Sequence, residues 1–125
     1  MFELAGVLAK TFTPRRDAFA VTLDEVVRSP DAHLLVAVLE GRVVGYLLGF
    51  RHRAFFANGV VAWIEEIAVG EDVRRRGLGS LLVAEFEERQ RRADVRLVAL
   101  ATTRAGPFYA ALGYADHATY HRKVL

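Results

Sequence analysis

The chain contains no cysteine. Disulfides, thiolate metal sites and a cysteine nucleophile are therefore excluded, and the composition is compatible with an intracellular setting. Lysine is scarce: Lys10 and Lys123 are the only two, so the positive charge is almost all arginine. The 17 basic residues stand against 15 acidic ones, for a net charge of only +2. That excess is too small to imply nucleic-acid binding, although the pI is about 9.3. No apolar run approaches the roughly 18–20 residues needed to span a bilayer. The first twelve residues, MFELAGVLAKTF, lack the basic n-region and small-residue cleavage site of a secretory signal. A cytoplasmic protein with no membrane partner is expected. There is no GxxxxGK[ST] P-loop, which argues against an NTPase, and no dinucleotide-type glycine motif after the first strand. Internal repeats, linkers and low-complexity tracts are also missing.

What is present is a 125-residue chain, 53% hydrophobic and 26% charged. That is enough for one folded domain over residues 1–125 with one sizeable core. Leu4, Leu8 and Phe12 recur on one helical face. Thr13-Pro14 reads as the N-cap and first turn of a second helix, whose apolar stripe is Phe19, Leu23, Val26 and Val27, ended at Ser29-Pro30. Residues 33–39 and 42–50 predict two strands joined by a tight Glu40-Gly41 turn. Residues 51–59 read as a loop, and 60–69 as a third strand. Residues 77–92 predict the best helix, with Leu78, Leu82 and Phe86 on one face and Glu85–Arg89, Glu87–Arg91 and Glu88–Arg92 as i,i+4 pairs. Residues 95–101 predict a strand. Residues 103–112 predict a short helix capped by Thr103, with Gly113 at C′. Residues 114–125 read as one or two closing strands. The fold class expected is α/β (α+β, three layers), with helices around a mixed, mostly antiparallel sheet.

The stretch with the most chemistry is WIEEIAVGEDVRRRGLGSLL, residues 63–82. It runs strand, basic glycine loop, helix. The first N–H groups of a helix lack internal partners, the helix dipole favours negative charge there, and glycine lets an anion approach the backbone. A pyrophosphate held by backbone N–H groups is the natural ligand for such a join. A plain surface turn would explain the three arginines as well. The combination with two glycines, Ser80 and an uninterrupted amphipathic helix favours the anion reading.

Here the sequence resembles the GCN5-related N-acetyltransferases. Their R/Q-x-x-G-x-G/A signature matches Arg74-Arg75-Arg76-Gly77-Leu78-Gly79, with Val69 five residues ahead. Their FY-x-x-LGF/Y pattern is matched by Phe108-Tyr109-Ala110-Ala111-Leu112-Gly113-Tyr114. The resemblance covers about residues 32–125 and implies an acyl-coenzyme A N-acyltransferase-like fold with acetyl-coenzyme A as co-substrate and no metal. It further implies that backbone groups of Ile67, Ala68 and Val69 pair with the pantetheine arm. N–H groups from Arg75, Arg76, Gly77, Leu78, Gly79 and Ser80 would hold the pyrophosphate, with Arg74, Arg75 and Arg76 adding charge.

A substrate amine must lose a proton before it attacks a thioester, and a carboxylate within reach can take it. Glu65 and Glu66 precede the loop and are the candidates. Strand alternation predicts that they point to opposite faces, so only one would meet the substrate. Glu65 is preferred because it aligns with the acid of diamine-type relatives; the plain alternative is that both are rim charges. The resemblance also implies that Tyr109 protonates the departing thiolate, against a simple packing role beside Phe108. With no cysteine, direct attack in a ternary complex is expected, with a strand N–H near residues 67–69 stabilising the oxyanion.

His52, Phe55, Phe56 and Trp63 are candidates for shaping an amine pocket, with core packing favoured for Trp63. His33, His117 and His121 read as structural or solvated, and no zinc site is expected. The acidic pair suggests a small cationic amine, of aminoglycoside or polyamine type. The alternatives are a protein N-terminal or lysine acetyltransferase, a non-catalytic acyl-coenzyme A-binding module, and a nucleic-acid contact through the three arginines. Relatives usually begin with a strand ahead of the first helix; none is read here, so either that strand is absent or the chain starts late relative to theirs. An uncovered sheet edge would invite pairing with another chain, and homodimerisation or compensating cover at that edge is expected.

Overall fold

The structure is a computed structural model and describes residues 1–9 and 12–125. Its elements run α1 (Phe2–Leu8), α2 (Arg16–Arg28), β1 (Ala32–Leu39), β2 (Arg42–Ala54), β3 (Gly59–Val69), α3 (Leu78–Arg92), β4 (Val98–Leu100) and α4 (Gly106–Ala111). The four strands form one sheet in the order β1-β2-β3-β4. The first two pairings are antiparallel and β3–β4 is parallel, the mixed sheet that the sequence predicts.

The β1–β2 hairpin closes at Glu40 (φ 52°) and Gly41 (φ 75°). Two successive left-handed residues make the turn whose twist matches that of antiparallel strands. One face of the sheet supplies Leu35, Leu47, Ala62 and Ile64 to a core completed by Leu82, Val83 and Phe86 of α3 and Tyr109 of α4. Helix α3 lies so close that a Cβ on Gly49 would sit 2.5 Å from the Phe86 ring. Val44, Tyr46, Val61 and Ala68 are also buried but lie outside that cluster. Alternation puts them on the opposite face, where α1 and α2 contact β3 and β1. Helices thus cover both faces, as a three-layer arrangement requires.

Several expectations need correction. The first helix stops at Leu8, and Phe12 is 72% exposed outside it; the residues between Ala9 and Phe12 lie outside the described ones. Thr13 does not cap α2. That helix starts at Arg16 with Arg15 at its N-cap and no side-chain cap, because a residue before proline is held extended. Strand β2 runs on to Ala54, so residues 51–54 are strand rather than loop. They pair with residues 59–62, Arg51 opposite Ala62 and Ala54 opposite Gly59. Helix α4 starts at Gly106, not Thr103; Thr102 Oγ1 accepts a hydrogen bond from the Ala105 N–H at 3.0 Å in the turn before it. Strand β4 has three residues, shorter than residues 95–101. Residues 114–125 form no strand, and all of 115–125 are exposed. The chain leaves α4 through Gly113 at φ 94°, the left-handed stop expected there.

Candidate active site

The site begins with a slip in β3. Leu48 lies opposite Glu66 while Gly49 lies opposite Ile64, so Glu65 has no partner on β2. This is a β-bulge, and it shifts the alternation by one residue. Ala62 and Ile64 face the core, and after the bulge Ile67 and Val69 face it too. The predicted opposition of Glu65 and Glu66 therefore does not hold. Glu66 lies on the face away from α3, with its cross-strand neighbour Leu48. Glu65 is the exposed extra residue.

The parallel pairing ends at the same place. It covers Ala62–Val98, Trp63–Ala99 and Ile64–Leu100, whereas β3 continues to Val69. Residues 66–69 keep β2 on one side and have no β4 partner on the other. An interior strand with one open edge offers backbone N–H and C=O groups to a ligand. Val69 O already accepts a hydrogen bond from Arg74 Nε at 3.3 Å.

Beyond Val69 the chain turns through Glu71–Val73. Val73 is 3% exposed and anchors this turn, which Arg42 pins to the β1–β2 hairpin through a 2.7 Å contact from Nη2 to Asp72 Oδ2. That hydrogen bond holds the Asp72 carboxyl below its ordinary pKa, against an opposing effect of desolvation. Arg75 then adopts φ 66° and Gly77 φ 77°. A left-handed arginine is a strained choice, and such strain concentrates where backbone groups are aimed at a ligand. Left-handed residues in a tight loop turn successive N–H groups to one side, the geometry of an anion-binding nest. Helix α3 follows with no side-chain cap at its N-terminus, so its first N–H groups stay available. Arg74 pairs with Glu71 at 3.8 Å. Arg75 and Arg76 have no ion pair among the described residues.

These parts enclose a cleft of about 420 Å³. Ile67, Ala68 and Val69 line one side; Arg74, Arg75 and Gly77, Leu78, Gly79 and Ser80 line the helix end; Ala105, Phe108 and Tyr109 line the other side. Nine of the ten residues expected to meet the co-substrate are brought together, and Arg76 alone stays off the wall. Val73 and Ala105 also line the cleft and were not foreseen; Val73 carries a readable signal, as the one apolar residue in an acidic and basic turn. Gly79 sits against α4, where a Cβ would lie 3.4 Å from Phe108.

Tyr109 is buried in α4, stacked edge-on between Phe108 (5.0 Å between centroids) and Tyr114 (5.7 Å). Its hydroxyl has no hydrogen-bond partner among the described residues. Burial raises its pKa above the ordinary phenol value. Glu65 and Glu66 do not line the cleft. Glu66 accepts a hydrogen bond from the Tyr46 hydroxyl at 2.9 Å, a contact the sequence reading did not foresee.

Phe55 and Phe56 are exposed, at 103% and 76%, but on the tip joining β2 to β3. At about 3.3 Å per residue, the β3 end of that tip lies roughly 23 Å along the strand from Glu66. They do not border the carboxylate pair. A larger groove of about 490 Å³ runs between β1 and α3. Its walls are mainly leucine and valine, and its charges are a Glu85–Arg89 pair at 2.9 Å. It takes only Leu78 from the start of α3 and has none of the glycines and none of the loop arginines that line the smaller cleft. Among the described residues no group of three or more His, Asp or Glu stands where it could hold a metal ion, and no helix is long and apolar enough to cross a membrane.

The pattern of the Acetyltransferase (GNAT) family matches residues 5–114. The chain belongs to this family of acetyltransferases. An acetyltransferase of Trypanosoma brucei is 27% identical, with a TM-score of 0.84 over 99% of this chain and 89% of that one. Glucosamine-6-phosphate N-acetyltransferase from Arabidopsis thaliana is 21% identical, with a TM-score of 0.86 over 99% and 88% of the two chains. An aminoglycoside acetyltransferase from an uncultured soil metagenomic sample is 17% identical, with a TM-score of 0.77 over 99% and 84%. No curated protein matches the chain in sequence. The fold shared with these structures is the mixed sheet with flanking helices described above.

Proposed function

We propose that this GNAT-family protein transfers the acetyl group of acetyl-coenzyme A directly to a primary amine, a small cationic one of aminoglycoside or polyamine type. The observation that carries this reading is the continuity of the open β3 edge with the left-handed loop and the uncapped end of α3. The thioester arm fits the edge at residues 67–69, and the diphosphate fits the N–H groups from Arg75 to Ser80. The residues present suit such a co-substrate, since they offer backbone groups, left-handed turns that expose N–H groups, and the unpaired Arg75 in one cleft.

The amine nitrogen bonds to the acetyl carbonyl carbon and the carbon–sulfur bond breaks. The amine proton passes to a carboxylate, directly or through water, and the sulfur leaves as a thiolate. An N–H of residues 67–69 stabilises the oxyanion between these events. Tyr109 serves the thiolate. A phenol has an ordinary pKa of about 10, close to that of a simple alkanethiol, and burial moves Tyr109 further up. Full proton transfer from Tyr109 to the sulfur would therefore run uphill. Its contribution is a hydrogen bond to the developing charge, and solvent delivers the proton. The paired carboxylates favour a cationic acceptor by simple attraction.

Titration calorimetry with acetyl-coenzyme A, followed by thiol-release assays with spermidine, an aminoglycoside and glucosamine 6-phosphate, tests this reading. Binding plus turnover of a cationic amine is expected. Absence of binding removes the proposal. Tight binding with no turnover of any amine, peptide N-terminus or lysine supports a non-catalytic acyl-coenzyme A-binding module instead.

A further inference from the structure

Two adjacent glutamates precede the loop, and only their surroundings distinguish them. The bulge leaves Glu65 exposed, with no hydrogen bond or ion pair among the described residues. Glu66 lies half-buried on the same face as Tyr46, and its Oε1 accepts the Tyr46 hydroxyl at 2.9 Å. Tyr46 comes from β2, between β1 and β3 in the sheet, and is only 3% exposed. It lies opposite Val36 on one side and Ala68 on the other. Its ring cannot swing away without opening the sheet.

We propose that Tyr46 is a positioning residue that selects Glu66, and not Glu65, as the group that takes the proton from the substrate amine. The inference rests on the acyl-transfer reading above. One carboxylate oxygen is fixed by a buried, rigid donor, and Oε2 has no hydrogen-bond partner among the described residues. Pre-fixing the carboxylate spares the loss of side-chain freedom that Glu65 would suffer on meeting the amine. The donor is durable. Burial, then the Glu66 charge, raise the Tyr46 pKa well above the ordinary phenol value, so the hydroxyl keeps its proton across the working range. The electrostatic surroundings are simple. Helix α1, packed against β3, brings the Met1 ammonium and Glu3, which lie 4.0 Å apart, and Arg16 holds Glu3 at 3.1 Å. Strand β4 carries no charge, and Glu65 is the neighbour on the same strand.

The test compares Tyr46→Phe, Glu66→Gln and Glu65→Gln using the best amine of the panel. Phenylalanine keeps the ring and its packing, so the fold should persist and the KM for acetyl-coenzyme A should stay within about twofold. A three- to tenfold loss of kcat is expected in Tyr46→Phe and a larger loss of kcat in Glu66→Gln, whereas Glu65→Gln should raise the KM for the cationic amine and lower kcat less than Glu66→Gln does. A Tyr46→Phe kcat within twofold of the wild type, or a Glu65→Gln loss of kcat as large as that of Glu66→Gln, overturns the proposal. A second readout needs no turnover. In carbon-13 tyrosine spectra, Glu66→Gln should bring Tyr46 ionisation to lower pH, because the carboxylate charge that opposes it is gone. If no amine turns over, the acyl-transfer reading fails. An unchanged Tyr46 titration in Glu66→Gln would separately overturn the positioning role.

Discussion

At the scale of single residues, Tyr109 shows how burial sets a chemical role. It packs in the core between two aromatic rings, yet it lines the cleft. Tyr109→Phe keeps the volume and removes only the hydroxyl. The expected result is unchanged affinity for acetyl-coenzyme A by calorimetry and a kcat about tenfold lower, the value of one modest hydrogen bond. A fall of a thousandfold would mean full proton transfer, against the direction of its pKa shift. His33 illustrates the same physics outside the site. Its Nε2 is buried without a hydrogen-bond partner, and burial, then the charge of Arg51, hold its pKa below 6.5; Asp31 opposes and Arg89 adds a smaller push down. The unfolded chain protonates this histidine near pH 6.5 while the folded one resists. The unfolded state then binds more protons, so this contribution to stability is complete above about pH 6.5 and declines as the pH falls below it. Urea midpoints at pH 7.5 and 5.5 should drop less on acidification in His33→Asn than in the wild type. Equal drops would assign the acid sensitivity elsewhere.

At the scale of elements, the loop between β3 and α3 depends on backbone shape. Gly77 holds φ 77°, and nothing lies within 4 Å of where its Cβ would be. A substitution there acts through the backbone and not through crowding. Gly77→Ala should cost about 1–2 kcal/mol by urea unfolding and weaken acetyl-coenzyme A binding several-fold. Gly77→Asn should lose less, since asparagine tolerates the left-handed region. Equal losses for both would point to something other than φ. This loop was readable because glycine, arginine and an apolar periodicity each mark a local physical demand. The same is true of the Glu40-Gly41 turn and of Gly113. The bulge at Glu65 was not readable, because a bulge exists only relative to the register of a second strand. Its consequence, two glutamates no longer on opposite faces, reverses a conclusion that strand alternation alone would dictate. Residues 51–54 failed for a related reason. Arg51, His52 and Arg53 look like loop, yet pairing with residues 60–62 makes them strand, and Arg51 reaches the buried Gln90 of α3 at 2.6 Å. The closing strands expected after Tyr114 rested on composition, and composition names no partner for them.

At the scale of the whole molecule, the cleft joins parts that are far apart in sequence. One wall is β3, another the start of α3, and the third is α4, six residues long and held chiefly by Tyr109 and Phe108. A ligand that touches all three should tie the short helix to the sheet and stabilise the entire fold. For a ligand that binds only the folded state, a concentration about 100 times Kd adds about 2.7 kcal/mol. In a chain of this size each kcal/mol moves the melting midpoint by roughly 3–5 °C. Saturating acetyl-coenzyme A should therefore raise the Tm by about 10 °C in a calorimetric scan. Pantetheine carries the thiol arm without the diphosphate. At the same concentration it should give a much smaller shift, because the uncapped helix end and the nest at Arg75 and Gly77 would have nothing to hold. Equal shifts would mean that the strand edge does all the binding and that the arginine-glycine loop holds no diphosphate. A shift with coenzyme A that persists undiminished in 0.5 M salt would place the diphosphate on backbone N–H groups, and one that collapses would place it on the exposed arginines, since exposed charges are screened within about 10 Å at a fifth of that ionic strength.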